Sequence, residues 1–502
     1  MDSKSVALSF IWKFLERGAA QAWALIVQII LARLLAPNDF GTLAILMVFV
    51  NISNVLIQKG FATALVQNKD IDDLDINTVL LVSELIAALI YIVLWFIAPF
   101  IENIYKTTDL AIYLRTIAIS LFTGAFYSIE NSLLIRNMQF KKMFLSSFSA
   151  TMVAGILAII LAYAGMECWA LIWHSNIQQL LLAVFSFRFC RWKIGLQYSK
   201  KSFDKVFRFG SNVLLSELLY TGVENLRTLL IGKKYSQSDL AYYDRGQTYP
   251  SVAMRSIYDA IGSVLLPVFS KNQNDLTHLR ITTQKALGFS FFLIAPCFIG
   301  FAAIAEQFTV LLLTNKWLSC VIYMKIFCVY QLAIPSYCIF RNVLYALGES
   351  KRSLWLEIIK ASLTLCAVIF GLLMSPLWIA IFSAISVWFS TFIYGVATHR
   401  HLKFNLKEMV LDILPVILAC IIMSLVISLI NMIIANAIIE IMIDILAGII
   451  TYITSLALLR SRYYMESINI IKRYTQGISY EYYRENCKTL ETLSGMVSSI
   501  CK

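Results

Sequence analysis

Charge is scarce in this chain. Aspartate, glutamate, lysine and arginine supply 14% of its 502 residues, where a soluble domain carries about 25%. Long outer loops are missing too, and the longest expected one is about fifteen residues. That leaves no room for an extracellular catalytic domain. Ten cysteines include no Cys-x-x-Cys pair, and the four histidines (His174, His278, His399 and His401) have no metal-ligand spacing. No metal or redox cofactor is therefore expected. Only Cys168 and Cys320 fall near expected outer ends, and a disulfide is not expected. No Gly-x-x-x-x-Gly-Lys-[Ser/Thr] run occurs, so the chain has no nucleotide-hydrolysing loop of its own. The N-terminal apolar segment is too long for a cleavable signal and reads as a first span.

What remains is apolar length. Hydrophobic residues make up 59% of the sequence, in helix-length runs rather than the ten-residue alternating segments of a barrel. Fourteen spans are expected, near 10–33, 40–58, 78–100, 112–134, 145–164, 169–189, 209–232, 248–268, 285–305, 321–346, 354–373, 377–398, 410–431 and 437–459. Spans one, two, seven and eight are the more polar ones. The net charge of +12 fits basic cytoplasmic loops better than a nucleic-acid partner. With the N-terminus inside, 28 lysines and arginines fall in inner segments and six in outer ones. That asymmetry places both termini in the cytoplasm.

The stretch Leu31-Ala32-Arg33-Leu34-Leu35-Ala36-Pro37-Asn38-Asp39-Phe40-Gly41 returns in degenerate form at Ile231–Ala241. Both copies read as helix end, basic residue, short turn, aspartate and new helix, with the aspartate placed to cap. Gly60, Val66 and Lys69 answer to Gly262, Val268 and Lys271, and Tyr127 answers to Tyr337. The pattern predicts two parallel six-helix lobes around a central cavity. Residues 1–190 form the first, 191–208 a basic cytoplasmic linker and 209–400 the second. Residues 401–459 add two extra spans, and 460–502 a cytoplasmic tail.

Polar residues inside the spans mark the expected cavity. Arg17, Gln21 and Gln28 share a face of span one, and Glu217, Thr221, Glu224 and Thr228 repeat those positions in span seven. Asn54 and Gln58 of span two answer to Arg255 and Asp259 of span eight. Tyr127 and Asn131 of span four answer to Tyr337 and Arg341 of span ten. Amides also bond helices to one another, but a charge at mid-bilayer costs ~2.5–3.5 kcal/mol even on the most lenient scale. These charges require a water-filled cavity. Arginine's planar fork of donors matches phosphate oxygens, so Arg17, Arg255 and Arg341 are the phosphate candidates, with Gln21, Gln28 and Asn54 beside them. Glu224, then Asp259 and Glu217, are candidates for proton or sodium coupling. Glu84, without a repeat partner, ranks lower.

Residues 12–401 resemble the Wzx-type polysaccharide repeat-unit exporters of the multidrug/oligosaccharidyl-lipid/polysaccharide superfamily. The matching motifs are Leu31–Gly41, Gly60-Phe61-Ala62-Thr63-Ala64-Leu65-Val66-Gln67, and Leu134-Ile135-Arg136-Asn137-Met138-Gln139-Phe140-Lys141. Phe209-Gly210-Ser211, Leu230-Ile231-Gly232-Lys233, Leu266-Pro267-Val268-Phe269-Ser270, Lys316-Trp317 and Ala346-Leu347-Gly348 complete the set. Two departures are Ala241, where the family usually has glycine, and Arg227, near which it often places an acid. The resemblance implies a non-enzymatic flippase of the bacterial inner membrane. Such a protein moves undecaprenyl-pyrophosphate-linked oligosaccharide by alternating access, for O-antigen, capsule or exopolysaccharide synthesis. It implies a polysaccharide polymerase and glycosyltransferases as pathway partners. The competing reading is an ion-coupled multidrug or small-molecule antiporter, whose cationic substrates would favour acids over arginines.

Overall fold

In a computed structural model, the backbone is described for residues 3–59, 65, 71–190, 195, 197–271, 275–404, 406–432 and 437–475. Among the described residues all regular structure is helical. Side chains of residues 3–18 and 205–213, several nearby positions on the following helices, and Arg255 and Asp259 are outside the description. So are Gly60, Val66, Lys69, linker residues 191–194 and the tail beyond 475.

The helices run α1 Ser3–Leu34, α2 Pro37–Asn54, α3 Asp73–Tyr105, α4 Leu110–Ile117, α5 Ser120–Arg136, α6 Phe140–Tyr163, α7 Glu167–Phe187, α8 Lys200–Lys234 and α9 Gln237–Lys271. They continue as α10 Leu276–Ala303, the single turn α11 Ala305–Phe308, α12 Val321–Ala346, α13 Ser350–Met374, α14 Pro376–Leu402, α15 Leu406–Asn431, α16 Ala437–Leu458 and α17 Arg462–Thr475. Ten described helices are long and apolar enough to cross a membrane, so this is a multi-pass membrane protein. Four of the fourteen expected spans fall outside that set: α1, α7, α8 and α9. Each has at least 21 residues, enough to span about 30 Å; the described apolar stretch of α1, Ala19–Leu34, is shorter than a span, and α7 is diluted by polar residues. In α7 the dilution comes from His174, Asn176, Gln178 and Gln179. Span two, expected among the polar ones, is apolar enough.

The helix ends follow from local chemistry. Proline at the first position of α2 and α14 fixes a helical φ where no amide donor is needed. Asp39 does cap α2, but from three residues inside it: its Oδ2 accepts from the Ala36 amide at 3.0 Å. At the echo, Asp239 Oδ2 accepts from the Ser236 amide at 3.3 Å and hydroxyl at 2.7 Å, while Ser236 Oγ accepts from the Asp239 amide at 3.1 Å. That is a reciprocal capping box. Asp72 caps α3 through the Asp75 amide at 2.8 Å, and Asp275 caps α10 through the His278 amide at 2.9 Å. The chain leaves α5 through Met138, at φ 51°, and leaves α12 through Gly348, at φ 76°. In both turns the next amide reaches back to the helix, Gln139 to the Leu134 carbonyl and Glu349 to the Leu344 carbonyl, each at 2.9 Å. Three boundary devices thus recur in the same order along the two halves of the sequence.

The chain divides into two compact units, Met1–Tyr242 and Tyr243–Lys502. In the first, α1 packs on α6, α5 and α6 pack on α7, and α8 lies against α2 and α3. Small residues permit these approaches. A Cβ on Gly155 would stand 2.5 Å from Val27, and Trp23 donates to the Thr151 carbonyl at 3.3 Å. A Cβ on Gly41 would collide with the Gln237 carbonyl. The span Leu110–Arg136 breaks at Ala118-Ile119, and there Asn176 donates to the Thr116 carbonyl at 2.9 Å.

In the second unit α12 packs on α10 and α14, α13 on α14, and α15 on α10 and α16. Polar groups tie α16 to α11 and to α15. Gln307 donates to Glu440 at 2.7 Å, and the Asn431 amide donates to both oxygens of Asp444 at 3.0 and 2.8 Å. Tyr463 of α17 fills a notch against Gly288, where any Cβ would collide with its ring. Beside it, Arg462 pairs with Asp412 at 3.1 Å and Glu466 at 3.3 Å. Burial opposes the Arg462 charge, but the two carboxylates outweigh it and raise its pKa. Burial pushes the Tyr463 hydroxyl up to about 12.

Candidate functional site

The second unit holds a charged, aromatic cluster around Arg341. Tyr337 and Arg341 lie one turn apart on α12, on the shared face that their spacing predicts. The Arg341 guanidinium donates to the Tyr337 hydroxyl at 3.3 Å and to the hydroxyl of Tyr258 on α9. It lies 5.3, 5.6 and 5.9 Å from the rings of Tyr337, Tyr258 and Tyr345, within cation–π range. Its Nε is buried with no hydrogen-bond partner.

A carboxylate balances it. Glu357 on α13 accepts from the Tyr337 hydroxyl and from Tyr394 of α14 at 3.1 Å, and stands 3.8 Å from Arg341. Lys360, one turn along α13, is 3.7 Å from Glu357, with its ammonium 3.9 Å from the Tyr337 ring centre. Tyr394 also donates to the Ser353 carbonyl at 3.2 Å. With two cations and one carboxylate, the formal charge is +1. Arg341 keeps 25% of its side chain accessible and Glu357 34%, so the guanidinium can be reached from outside. Its fork can take two oxygens of a phosphate, and tyrosine faces offer flat apolar surfaces to sugar rings.

The first unit has a neutral counterpart. Gln58 donates to Asn54 at 2.9 Å, as their shared face predicts. Gly124 on α5 makes room for them. A Cβ there would stand 2.8 Å from Gln58 Nε2, 3.4 Å from Asn54 Oδ1 and 3.7 Å from Gln179 Nε2. Gln21 is exposed and Gln28 half-buried on α1. On α8, Glu217 is half-buried and Glu224 exposed, with Glu224 3.9 Å from Arg227. That i, i+3 pair supplies an acid for Arg227 from its own helix. Arg17 lies on α1, and Arg255 and Asp259 on α9, but their side chains fall outside the described residues. Among the described residues no three His, Cys, Asp or Glu gather as metal ligands.

Glu357, Lys360, Tyr258 and Tyr394 have to be added to the sequence-based candidates. Glu357 and Lys360 carry a signal in the sequence, as two charges three apart within an apolar span. Glu130 on α5 must be added as well. It is fully buried, and neither carboxylate oxygen has a hydrogen-bond partner.

This architecture is a fold shared with solved membrane transporters. A lipid II flippase, MurJ, in its inward closed conformation superposes with a TM-score of 0.68 over 92% of this chain and all of that one, at 18% identity. An inward-facing multidrug transporter of the MATE family follows at 0.58, over 79% of this chain and 99% of that one, at 14% identity. Residues 30–322 match the model of the family described as polysaccharide biosynthesis protein, and the chain belongs to that family. The lipopolysaccharide biosynthesis protein WzxC of Escherichia coli K12 is 22% identical over 61% of this chain and 62% of its own length, slightly under two thirds. The succinoglycan biosynthesis transport protein ExoT of Rhizobium meliloti is 21% identical over 77% of this chain and 79% of its own. The teichuronic acid biosynthesis protein TuaB of Bacillus subtilis is 22% identical over 54% and 56%.

Proposed function

We propose that this protein is a flippase of the bacterial cytoplasmic membrane. It carries undecaprenyl-pyrophosphate-linked oligosaccharide repeat units from the inner to the outer leaflet for surface polysaccharide synthesis. The observation that carries this reading is the Arg341 cluster: an accessible guanidinium inside a membrane helix, ringed by three tyrosines and opposed by one carboxylate. A pyrophosphate competes with Glu357 for the guanidinium, while the sugars lie on the tyrosine faces. The family supports the pathway, since relatives serve lipopolysaccharide, succinoglycan and teichuronic acid synthesis. A fold shared with a lipid II flippase supports a lipid-linked substrate.

In this reading the units alternate access, both termini are cytoplasmic, and the two six-helix lobes 1–190 and 209–400 are the moving parts. Arg17, Gln21, Gln28, Asn54 and Arg255 join Arg341 in contacting the headgroup. A polymerase and glycosyltransferases act before and after it in the same pathway. The test is a strain deleted for the gene and complemented in turn by wild type, Arg341→Ala and Arg341→Lys. The deletion accumulates lipid-linked repeat units on the inner leaflet and loses surface polymer; wild type restores both, and Arg341→Ala does not, at equal membrane abundance. Normal surface polymer in the deletion strain overturns the reading.

A further inference from the structure

Glu130 sits on α5, within the membrane span Leu110–Arg136. Its side chain is 0% exposed, and both carboxylate oxygens lack a hydrogen-bond donor. Among the described residues it belongs to no ion pair. Its backbone carbonyl accepts from the Cys190 thiol at 3.5 Å. The α5 surface beside it is apolar: Ile129 packs with Leu65, Ile76, Val79 and Leu80.

Among the described residues, α5 and the elements packed on it bring the following ionisable groups. Arg136, on α5 itself, donates to the Leu65 carbonyl at 3.1 Å. Lys142, on α6, donates to Gln139 at 3.0 Å, and Lys141 lies beside it in sequence. On α3 are Asp75 at its start and Glu84 further along; His174 lies near the opposite end of α7. Cys190 follows α7, and α2 brings the neutral Asn54 and Gln58. None of them donates to the carboxylate. Two further hydroxyls, Ser146 on α6 and Ser186 on α7, are also buried without partners.

An ionised carboxylate taken out of water with neither cation nor donor carries a desolvation penalty of several kcal/mol. A neutral acid carries only that of an unpaired polar group. Polar side chains held in a membrane helix at such cost are functional by default. We infer that Glu130 is a proton-binding site: it holds a proton in this conformation and releases it when a rearrangement of the first unit lets water reach α5. The step breaks only the carboxyl O–H bond. The proton goes to water and the carboxylate remains, solvated. One proton is carried per conformational cycle, so the site couples the cycle to a proton gradient.

Proton binding stands on the geometry alone; its use in export rests on the flippase reading. The experiment treats the purified full chain in lipid nanodiscs with a hydrophobic carbodiimide, which reacts with protonated carboxyls, and maps the adducts by peptide mass spectrometry. The adduct at Glu130 is expected at mildly acidic pH, to be lost at alkaline pH, and to be missing in Glu130→Gln. In cells, Glu130→Gln is expected to lose the dependence of export on the proton gradient, while Glu130→Asp keeps it. No adduct at Glu130, or labelling that ignores pH, overturns the site even if both variants fail to fold, because wild type alone answers it. Labelling as expected with unchanged gradient dependence in Glu130→Gln overturns the coupling. Failure of the flippase reading would appear separately, in the deletion strain before any Glu130 variant is made.

Discussion

The two halves of the sequence share their boundary devices but not their chemistry. Arg341 answers to Asn131, and Tyr258 to Ile57. Glu357, at the spacing that relates Tyr337 to Tyr127, answers to Ser147, and Tyr394 to Val184. One half presents charge and tyrosine; the other presents amides around Gly124 and one isolated buried acid. A duplicated helical frame is held by caps, turns and small-residue contacts, none of which constrains the polar groups between them. Each copy is therefore free to take its own task, which in the proposed reading is anion recognition in one and proton binding in the other.

The largest effect separating the halves is expected at Arg341. Arg341→Ala should lower export about ten- to a hundredfold, the equivalent of losing a charge-assisted hydrogen bond of ~1.5–3 kcal/mol. It is read as surface polymer against membrane abundance. Arg341→Lys should recover part of that, because it keeps the charge and loses the fork. Adding Asn131→Arg to Arg341→Ala should rescue nothing, since Ile57, Ser147 and Val184 cannot rebuild the cluster. Rescue would show that position in the frame, not the surrounding set, makes the site.

Next in size is the coupling within the cluster. Glu357→Gln and Lys360→Met should each destabilise the protein in thermal melts. Together they should cost less than their sum by about 0.5–3 kcal/mol, as contacting partners do. Additive losses would mean that Glu357 and Lys360 act independently. A comparison within the frame follows. Gly41→Ala should cost ~1–3 kcal/mol through collision with the Gln237 backbone, while the corresponding Ala241→Gly should cost less. Ala241 is already buried without a clash, so its change only loosens a helix. Equal losses would break the account of why the second motif departs from glycine. The smallest effect belongs to the amides: Asn54→Ala should cost ~0.2–0.5 kcal/mol, as losing an amide pair four residues apart on one helix does.

Much of this frame was legible in advance. Hydropathy marks the helices, and the Leu31–Gly41 echo marks hairpins whose turns match position for position. The spacing of Tyr337 and Arg341, and of Asn54 and Gln58, placed each pair on one face correctly. Glu357, Lys360 and Glu130 have no charged residue at the repeat spacing to mark them, answering to Ser147, Ala150 and Phe340. Tyr258 and Tyr394 could not be read from spacing at all. They reach Arg341 from two other helices, and a tyrosine in an apolar run looks the same whether its hydroxyl meets lipid headgroups or a guanidinium. Asp39 was read as a cap, but its reach back to Ala36 depends on the proline turn that precedes it.

The Gly288 notch bears on where this chain can be shortened. Tyr463 is 3% exposed there, sealed against α10 and stacked edge-on to Phe289 at 5.3 Å. The last described helix is thus a plug, driven into the bundle near the N-terminal end of α10. Removing the residues after Thr475 leaves the plug in place. A chain cut back to Leu459 loses it and opens a void the size of a phenol ring, so α10 would lose its register against α15 and α16.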